Sequence, residues 1–367
     1  MDFIYKLRKL HEETGLDDIV IISPENIEYF LGVPTIADSM IVLYSHKGDL
    51  EVYVPILEYY RYRDMLSKQD VEVYAISKKI KPSDARVFEG EYKDLFGKIG
   101  MGKEKIGCDI GYSSPIINPL REKLGKKIVD ISKTITGYRM KKEPWEIERI
   151  KKAIKITRNS IKALVSYIQE GITEAQLAGV FEHRARQYNV SQYAFAPIIV
   201  FNPGTSYPHN IPGPNKLRRP NLILVDVGVK YQGRCSDLTR MILWGRPKKE
   251  WRRALEAVNE AINEVIDKAE PGMTGEEIAK IAIDAVAKHG YRERFIHGLG
   301  HGLGVVVHEH PYLTLGSTTK IEPGAVFTIE PGIYIPGEFG IRIEEDAVMT
   351  EKGVKILSSG LERIITS

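Results

Sequence analysis

The second half of the chain repeats one short segment. Gly171–Ala178 (GITEAQLA) matches Gly272–Ala279 (GMTGEEIA), 101 positions further along. In each copy a threonine, Thr173 or Thr274, stands three residues before a glutamine or glutamate, which is the spacing of a capping box at the start of a helix. We therefore expect two similar structural units in this half of the chain.

The order of elements around the repeated segment is also the same in both copies. Each copy follows a long segment with helical periodicity, at 145–167 and at 248–269. Each is followed by two β-rich runs that carry paired acids. Two units of helix, helix and hairpin predict a pseudo-twofold domain, in which the hairpins merge into one sheet with the helices behind it.

The first hairpin carries Asp226 and Asp237. The runs 222–229 and 235–243 are β-rich, and 230–234 between them is typical of a tight turn. A hairpin centred there would place the two carboxylates directly opposite each other, with Cβ atoms about 5 Å apart. Adjacent like charges raise one pKa unless a cation intervenes, so the pair indicates a metal site. The opposite face of the first strand is predicted to belong to the core, and it carries Ile223, Val225, Val227 and Val229.

A second hairpin would bring Glu330 and Glu344 face to face, since they are symmetric about Gly337. His301 lies between the hairpins, in the glycine-rich run 297–304. Four carboxylates and one imidazole suit Mn²⁺, Fe²⁺, Co²⁺ or Zn²⁺, and can balance two such ions if some carboxylates bridge. Any one of these residues is more often a solvated acid or a structural histidine. Their coincidence in two matching hairpins favours the metal site.

Composition narrows the protein class. A length of 367 residues is enough for two domains. The 52 Lys+Arg nearly balance the 49 Asp+Glu, so the chain lacks the strong positive charge that is typical of nucleic-acid-binding proteins. Cys108 and Cys235 are the only cysteines, which indicates a reducing compartment, and we expect the cytoplasm. The charged segment 1–10 is unlike a signal peptide, and no apolar run approaches the roughly 20 residues of a membrane span.

The first part of the chain alternates short strands with helices such as 56–66, and no catalytic constellation is evident in it. We predict an α/β domain over 1–135 and the repeat-containing domain over 136–367, with the boundary before the helix at 145–167. The strands are predicted at 19–22, 40–44, 51–54, 71–75 and 105–109.

Six segments carry a resemblance to a known family: Val225–Gly228, Cys235–Arg240, Gly300–Gly304, Val307–Glu309, Thr328–Tyr334 and Gly340–Asp346. In this order they resemble the pita-bread-fold metallopeptidases, which include prolidase, Xaa-Pro aminopeptidase and methionine aminopeptidase. Residues 1–135 resemble the N-terminal domain of the proline-specific members. The resemblance implies an α+β fold class, with a creatinase-like N-terminal α/β domain followed by a pseudo-twofold pita-bread catalytic domain.

The resemblance also implies the metal ligands. Asp226 would bind one ion, His301 and Glu330 the other, and Asp237 and Glu344 would bridge them. Two divalent ions activate a water molecule near neutral pH and polarise the scissile carbonyl. The expected cofactors are two divalent ions per subunit, Mn²⁺ or Co²⁺ first and Zn²⁺ or Fe²⁺ as alternatives.

The remaining roles follow the same resemblance. Glu330 would also shuttle protons, and His308 resembles the histidine that donates to the tetrahedral oxyanion. His209 matches a histidine near the leaving nitrogen, and His297 a further pocket histidine. Arg342, on the same strand face as Glu344, resembles an arginine that holds a ligand or an acid in place. For His209 and His308, a surface or packing role is the competing interpretation.

The expected activity is cleavage of the Xaa-Pro bond at the N-terminus of dipeptides or short peptides by a homodimer. Dipeptidase members often carry an arginine just after the His-Glu-x-Pro stretch, where it meets the dipeptide carboxylate. Tyr312 stands at that position here, so aminopeptidase action on longer peptides stays open. A metal-free creatinase-like hydrolase and a non-catalytic binding module are two further possibilities for this fold, and each would lack part of the ligand set.

Overall fold

The computed structural model describes residues 5–35 and 40–366, and it divides into two compact units, Met1–Arg139 and Met140–Ser367. Residues 1–4, which belong to the charged segment 1–10, lie outside the described residues. Within the described ranges, no helix is both long and apolar enough to cross a membrane.

The first unit contains one mixed sheet in the order β5-β4-β3-β2-β1-β6-β7. Its strands are β1 (Asp18–Ile21), β2 (Val42–His46), β3 (Asp49–Pro55), β4 (Glu72–Ile76), β5 (Val87–Phe88), β6 (Ile106–Cys108) and β7 (Ile128–Asp130). Its helices are α1 (Tyr5–Thr14), α2 (Pro24–Leu31), α3 (Tyr59–Leu66), α4 (Tyr92–Ile99), α5 (Ile117–Leu124) and α6 (Ser132–Met140). The pairs β1–β2 and β2–β3 are antiparallel, and the other pairs are parallel.

The five strands predicted in this unit are confirmed, with ends displaced by two residues at most. The predicted helix 56–66 is only partly right, because it begins as the 3₁₀ turn Ile56–Glu58 before α3. Pro55 directly precedes that turn, and its missing N–H removes one donor from the segment.

A buried carboxylate joins two elements of this unit. Asp109, just after β6, accepts hydrogen bonds from the backbone N–H of Ile22 (2.8 Å) and of Ser23 (3.1 Å), the Ser23 hydroxyl (2.6 Å) and Asn26 Nδ2 (3.0 Å). These donors lie at the start of α2, where the helix dipole favours negative charge. Burial nevertheless raises the pKa of Asp109 to about 6. The four donors oppose that rise and hold the carboxyl in one orientation.

The described part of the second unit contains four α-helices and the remaining strands. The helices are α7 (Pro144–Val165), α8 (Glu174–Arg186), α9 (Lys249–Lys268) and α10 (Gly275–Lys288). The strands are β8 (Gln192–Tyr193), β9 (Ile198–Phe201), β10 (Asn221–Val227), β11 (Val229–Tyr231), β12 (Arg234–Cys235), β13 (Leu238–Trp244), β14 (Gly300–Gly302), β15 (Glu309–Leu313), β16 (Val326–Ile329), β17 (Gly332–Ile335), β18 (Phe339–Arg342), β19 (Glu345–Thr350), β20 (Gly353–Ile356) and β21 (Ile364–Thr366).

Both predicted capping boxes are confirmed. The Thr173 side chain accepts the Gln176 N–H at the start of α8, and the Thr274 side chain accepts the Glu277 N–H at the start of α10. The long helices that precede them, α7 and α9, lie within two residues of their predicted bounds. The order of helix, helix and hairpin therefore occurs twice in this unit.

The prediction of one merged sheet is wrong. The structure has separate ladders in the orders β21-β13-β10-β9 and β15-β14-β16-β19-β20, with two smaller ones, β12-β11-β8 and β17-β18. The backbone leaves the ladder at Glu344, between β18 and β19. Its N–H donates to Thr239 O at 3.2 Å, which is a link across the gap rather than a continuous strand pair.

Strand β10 is buried on both faces. Ile223 and Val225 are buried, as predicted, in the core cluster that contains residues of α7 and α8. Leu222 and Leu224, on the other face, belong to the cluster that contains residues of α9 and α10. Because slipping a strand by one residue would exchange its two faces, this packing fixes the register of β10. The carboxylate at the end of that strand is thereby fixed too.

Candidate metal centre

One cavity in the second unit contains every site residue that the sequence predicted. Its volume is about 1080 Å³, and its lining includes Asp226, Asp237, His301, Glu330, Glu344, His209, His297, His308, Tyr312 and Arg342. These residues come from segments more than a hundred positions apart in sequence. The fold has therefore brought them together.

The first acid pair is not directly opposed. The β10–β13 register pairs Asp226 with Thr239, and β11–β12 pairs Tyr231 with Arg234. Gln232 and Gly233 have positive φ angles, 47° and 76°, so a two-residue turn centres the hairpin between them. This centre lies one residue beyond the midpoint predicted from Asp226 and Asp237, so the partner of Asp226 is Thr239, and Asp237 is the diagonal neighbour of Asp226 on the same face.

The second acid pair has the predicted register. In β17–β18, Gly332 pairs with Arg342, and in β16–β19, Ile329 pairs with Glu345. Both ladders are symmetric about Gly337, so Glu330 and Glu344 occupy opposite positions between them. The symmetry read from the sequence is confirmed for this hairpin.

His301 lies on the short strand β14. Its Nε2 is 3.1 Å from Glu330 Oε1 and 3.7 Å from Asp237 Oδ2. The Thr328 hydroxyl accepts the His301 backbone N–H at 3.0 Å and donates to Glu330 Oε1 at 3.1 Å. Thr328 thus holds both the histidine and the glutamate, although the sequence analysis gave it no role.

The acids and His301 fit a divalent metal centre. Ligand atoms of Asp226, Asp237 and Glu344 lie within 4.8 Å of one another, and so do those of His301, Glu330 and Glu344. Asp226 Oδ1, Asp237 Oδ1 and Glu344 Oε1 are buried and accept no hydrogen bond from the described part of the chain. Buried carboxylate oxygens without donors are costly, and coordination to a cation would satisfy them.

The electrostatics support the same fit. Burial, and then the charges of Glu344 and Asp226, raise the pKa of Asp237 well above its usual value. Burial, and then Glu330 and Asp226, likewise raise the pKa of Glu344. For Glu330 burial is outweighed by the hydrogen bond and charge of His301, which lower its pKa. A divalent ion would remove the repulsion that keeps protons on the first two acids.

Arg342 hydrogen-bonds to protein groups on both sides. Its Nη2 donates to Asp226 Oδ2 at 2.5 Å, and its Nη1 donates to the Tyr334 hydroxyl at 2.6 Å. His297 Nε2 lies 3.1 Å from that hydroxyl, while its Nδ1 lies 2.7 Å from Gly298 O. Nδ1 therefore carries the proton in this arrangement, and Nε2 accepts from Tyr334.

Besides Thr328, three further supporting residues were missed by the sequence analysis. Tyr334 links Arg342 to His297, the Thr239 hydroxyl donates to Glu344 Oε2 at 2.8 Å, and Asp346 Oδ2 accepts the Asp237 N–H at 3.1 Å. A sequence signal existed for Thr239, because it stands two positions from Asp237 and so shares its strand face. The Asp346 contact joins segments more than a hundred residues apart, so its partner could not be read from neighbouring residues.

The other two histidines are more accessible. The His308 ring packs edge-on against the His301 ring, with centroids 4.3 Å apart, and burial followed by the charge of His301 lowers the pKa of His308. One candidate ligand group combines His308 with Asp237 and His301. His209 is exposed in the segment that connects β9 to β10. Both side chains face the cavity that holds the carboxylates.

Comparison with known proteins gives matches along nearly the whole chain. Residues 148–351 match the model of metallopeptidase family M24, and residues 4–141 match that of the creatinase/prolidase N-terminal domain. The Xaa-Pro dipeptidase of Pyrococcus furiosus is 32% identical over 96% of each chain.

Solved structures show the same similarity. The prolidase of Thermococcus sibiricus superposes with a TM-score of 0.87 at 30% identity, and the X-Pro aminopeptidase of Thermotoga maritima with 0.87 at 28%, each over 100% of both chains. The second unit accordingly has the pita-bread fold and the first unit the creatinase-type N-terminal fold. The chain belongs to metallopeptidase family M24.

Proposed function

We propose that this protein is a dinuclear-metal exopeptidase that hydrolyses the Xaa-Pro bond at the N-terminus of dipeptides or short peptides. The observation that carries the proposal is the convergence of four carboxylates and His301 in one cavity, where three buried carboxylate oxygens accept no hydrogen bond from the described residues. The similarity to an Xaa-Pro dipeptidase along 96% of the chain supports the substrate class.

Each residue has a distinct role in this proposal. Asp226 and Asp237 would hold one ion, His301 and Glu330 would hold the other, and Asp237 and Glu344 would contribute to both. When bound, the two ions supply an activated water and polarise the scissile carbonyl.

The residues around these ligands orient the reaction. Glu330 accepts the proton of the attacking water and passes it to the leaving nitrogen. His308 donates to the oxygen of the tetrahedral intermediate. Arg342 keeps Asp226 in one orientation, and His209 contacts the leaving proline nitrogen, which carries no hydrogen before cleavage.

Mn²⁺ or Co²⁺ is the proposed metal pair, and a cytoplasmic homodimer is the proposed working form. Metal analysis of the purified protein tests the identity of the metal, and light scattering tests the oligomeric state.

A metal-free creatinase-like hydrolase or a pure binding module is disfavoured by the complete set of five ligand residues. Retention of full activity after exhaustive chelation would instead favour the metal-free hydrolase.

The choice between a dipeptidase and an aminopeptidase depends on the substrate carboxylate. Tyr312, 39% exposed at the cavity, offers a hydroxyl where an arginine would offer a positive charge. Arg342 already donates to Asp226 and Tyr334, so a substrate carboxylate would compete with those acceptors. Both observations favour activity on Xaa-Pro-Yaa tripeptides as well as on dipeptides.

One experiment tests the proposal directly. Metal-loaded enzyme is given Xaa-Pro, Xaa-Pro-Yaa and Xaa-Ala peptides with the same first residue, and Asp237→Asn serves as the inactive control. We expect cleavage before proline in the first two and little cleavage of Xaa-Ala. Equal rates for Xaa-Ala and Xaa-Pro would refute the proline specificity, and rejection of every tripeptide would exclude aminopeptidase action on longer peptides.

A further inference from the structure

The connection between β9 and β10 forms one wall of the cavity. Tyr207, His209 and Ile211 in this segment all line the cavity. The three side chains are exposed, so they are not held in place by packing against a core. We call residues 202–215 the wall loop.

Both ends of the wall loop are held by one side chain, that of Glu174. Its Oε1 accepts the backbone N–H of Phe201 at 2.8 Å, directly before the loop. Its Oε2 accepts the backbone N–H of Gly213 at 2.9 Å and Asn215 Nδ2 at 3.1 Å, at the far end of the loop. Glu174 is fully buried. The Glu174 carboxylate therefore joins the two ends of the loop, and the backbone bonds from Glu174 N–H to Asn215 O and from Ala175 N–H to Gly213 O also hold the far end.

The carboxylate is not needed to cap α8. Thr173 and Gln176 already form the reciprocal pair that satisfies the first turn of that helix. Glu174 is the first residue of α8, where negative charge is favoured by the helix dipole. The position suits a buried carboxylate, and its hydrogen bonds run to the wall loop and the residue before it.

The internal repeat shows that this position differs between the two halves. The residue after Thr274 is Gly275, where a Cβ atom would lie only 2.2 Å from Tyr312 O. That position must lack a side chain so that β15, which carries Tyr312, can approach α10. The residue after the capping threonine thus affects a wall of the cavity in both copies of the repeat. In the first copy it is the buried carboxylate of Glu174, and in the second copy it is Gly275, which has no side chain.

We propose that Glu174 is a positioning residue for substrate binding, which fixes the wall loop and with it His209 at the cavity. This inference rests on the proposed peptidase function for its kinetic consequence only. Its structural consequence, order in the wall loop, does not depend on any activity. In Glu174→Gln one carboxylate oxygen is replaced by an NH₂ group, which cannot accept a hydrogen bond. Because both oxygens accept from N–H donors in the wild type, at least one of the three hydrogen bonds is lost.

The test compares Glu174→Gln and Glu174→Ala with Thr173→Ala, which removes the cap of the same helix and leaves the carboxylate in place. Hydrogen exchange by mass spectrometry measures the exchange rate of the wall loop, and metal analysis measures whether the ligand residues still bind metal. Kinetics with Xaa-Pro substrates give KM and kcat. We expect faster exchange within 202–215 in both Glu174 variants and unchanged metal content. We also expect a fall in kcat/KM of about 10- to 100-fold, mainly through KM, as small misplacements of a binding wall produce.

Thr173→Ala is expected to lower the melting temperature without changing exchange in the wall loop or KM. Unchanged exchange of the wall loop in Glu174→Gln would overturn the proposal, and so would faster exchange with an unchanged KM. If Glu174→Ala does not fold, the isosteric Gln variant decides. If the wild-type protein cleaves no Xaa-Pro peptide, the peptidase proposal fails, and exchange still decides whether Glu174 holds the loop.

Discussion

The substitution Asp237→Asn should have opposite effects on the stability of the metal-free and the metal-loaded protein. Ligand oxygens of Asp237, Asp226 and Glu344 lie within 4.8 Å of one another in a buried site. Two unit charges at 4.8 Å repel by about 3.5 kcal/mol at an effective dielectric constant of about 20. Proton uptake relieves part of this repulsion, so we expect the substitution to stabilise the metal-free protein by about 1–3 kcal/mol.

The pH dependence has a definite sign. The pKa of Asp237 is raised in the folded protein, by burial first and then by Glu344 and Asp226. The folded metal-free protein therefore retains a proton that the unfolded chain releases above about pH 4. Its stability falls as the pH rises from there through the folded pKa. Asp237→Asn should flatten this part of the profile.

With metal present the effect should reverse, because the variant loses a carboxylate that we propose as a ligand of both ions. A ligand at a hundred times its dissociation constant stabilises the folded state by about 2.7 kcal/mol, and this gain should be reduced in the variant. Thermal unfolding in chelator and in Mn²⁺ measures both effects, with Glu351→Gln, an exposed acid, as the control for net charge. A variant that is less stable than wild type in chelator, with an undiminished response to metal, would refute the reasoning.

Further substitutions test other parts of the structure. His308→Ala should lower kcat by about 100-fold or more while metal content stays constant, as loss of an oxyanion donor does; a fall in metal content would make His308 a ligand instead. Asp226→Asn should reduce activity less than Asp237→Asn, because Asp237, unlike Asp226, is expected to serve both ions. Tyr312→Arg should shift the dipeptide-to-tripeptide ratio of kcat/KM towards dipeptides by roughly tenfold, and an unchanged ratio would separate this position from carboxylate recognition. Asp109→Asn should lower the free energy of unfolding by about 2–3 kcal/mol in urea titrations, since its backbone and hydroxyl donors would face an amide; a loss below about 0.5 kcal/mol would contradict this account.

The sequence alone determined the features that depend on near neighbours. The capping boxes at Thr173 and Thr274 need only a threonine and an acid or amide three residues later, and both form. The strand face predicted as core, with Ile223 and Val225, is buried, although the opposite face with Leu222 and Leu224 is buried too. The symmetry of Glu330 and Glu344 about Gly337 indicated their register, because the intervening hairpin is regular. The ten site residues were found in this way and by their family pattern, and all of them line one cavity.

Tertiary structure decided the contacts that have no local signal. The first hairpin is centred between Gln232 and Gly233, so Asp226 pairs with Thr239, and a turn with two positive φ angles is hard to place within a polar pentapeptide. The separation of the sheets at Glu344 depends on packing between halves of the domain, which periodicity does not report.

The same holds for the side chains that support the site. The hydrogen bonds from Arg342 to Asp226 and from the wall loop to Glu174 join segments that lie far apart along the chain. Each is set by long-range packing of one element on another rather than by neighbouring residues. Residue type and spacing therefore indicated which residues form the site, while only the folded chain decided which polar side chains hold them in place.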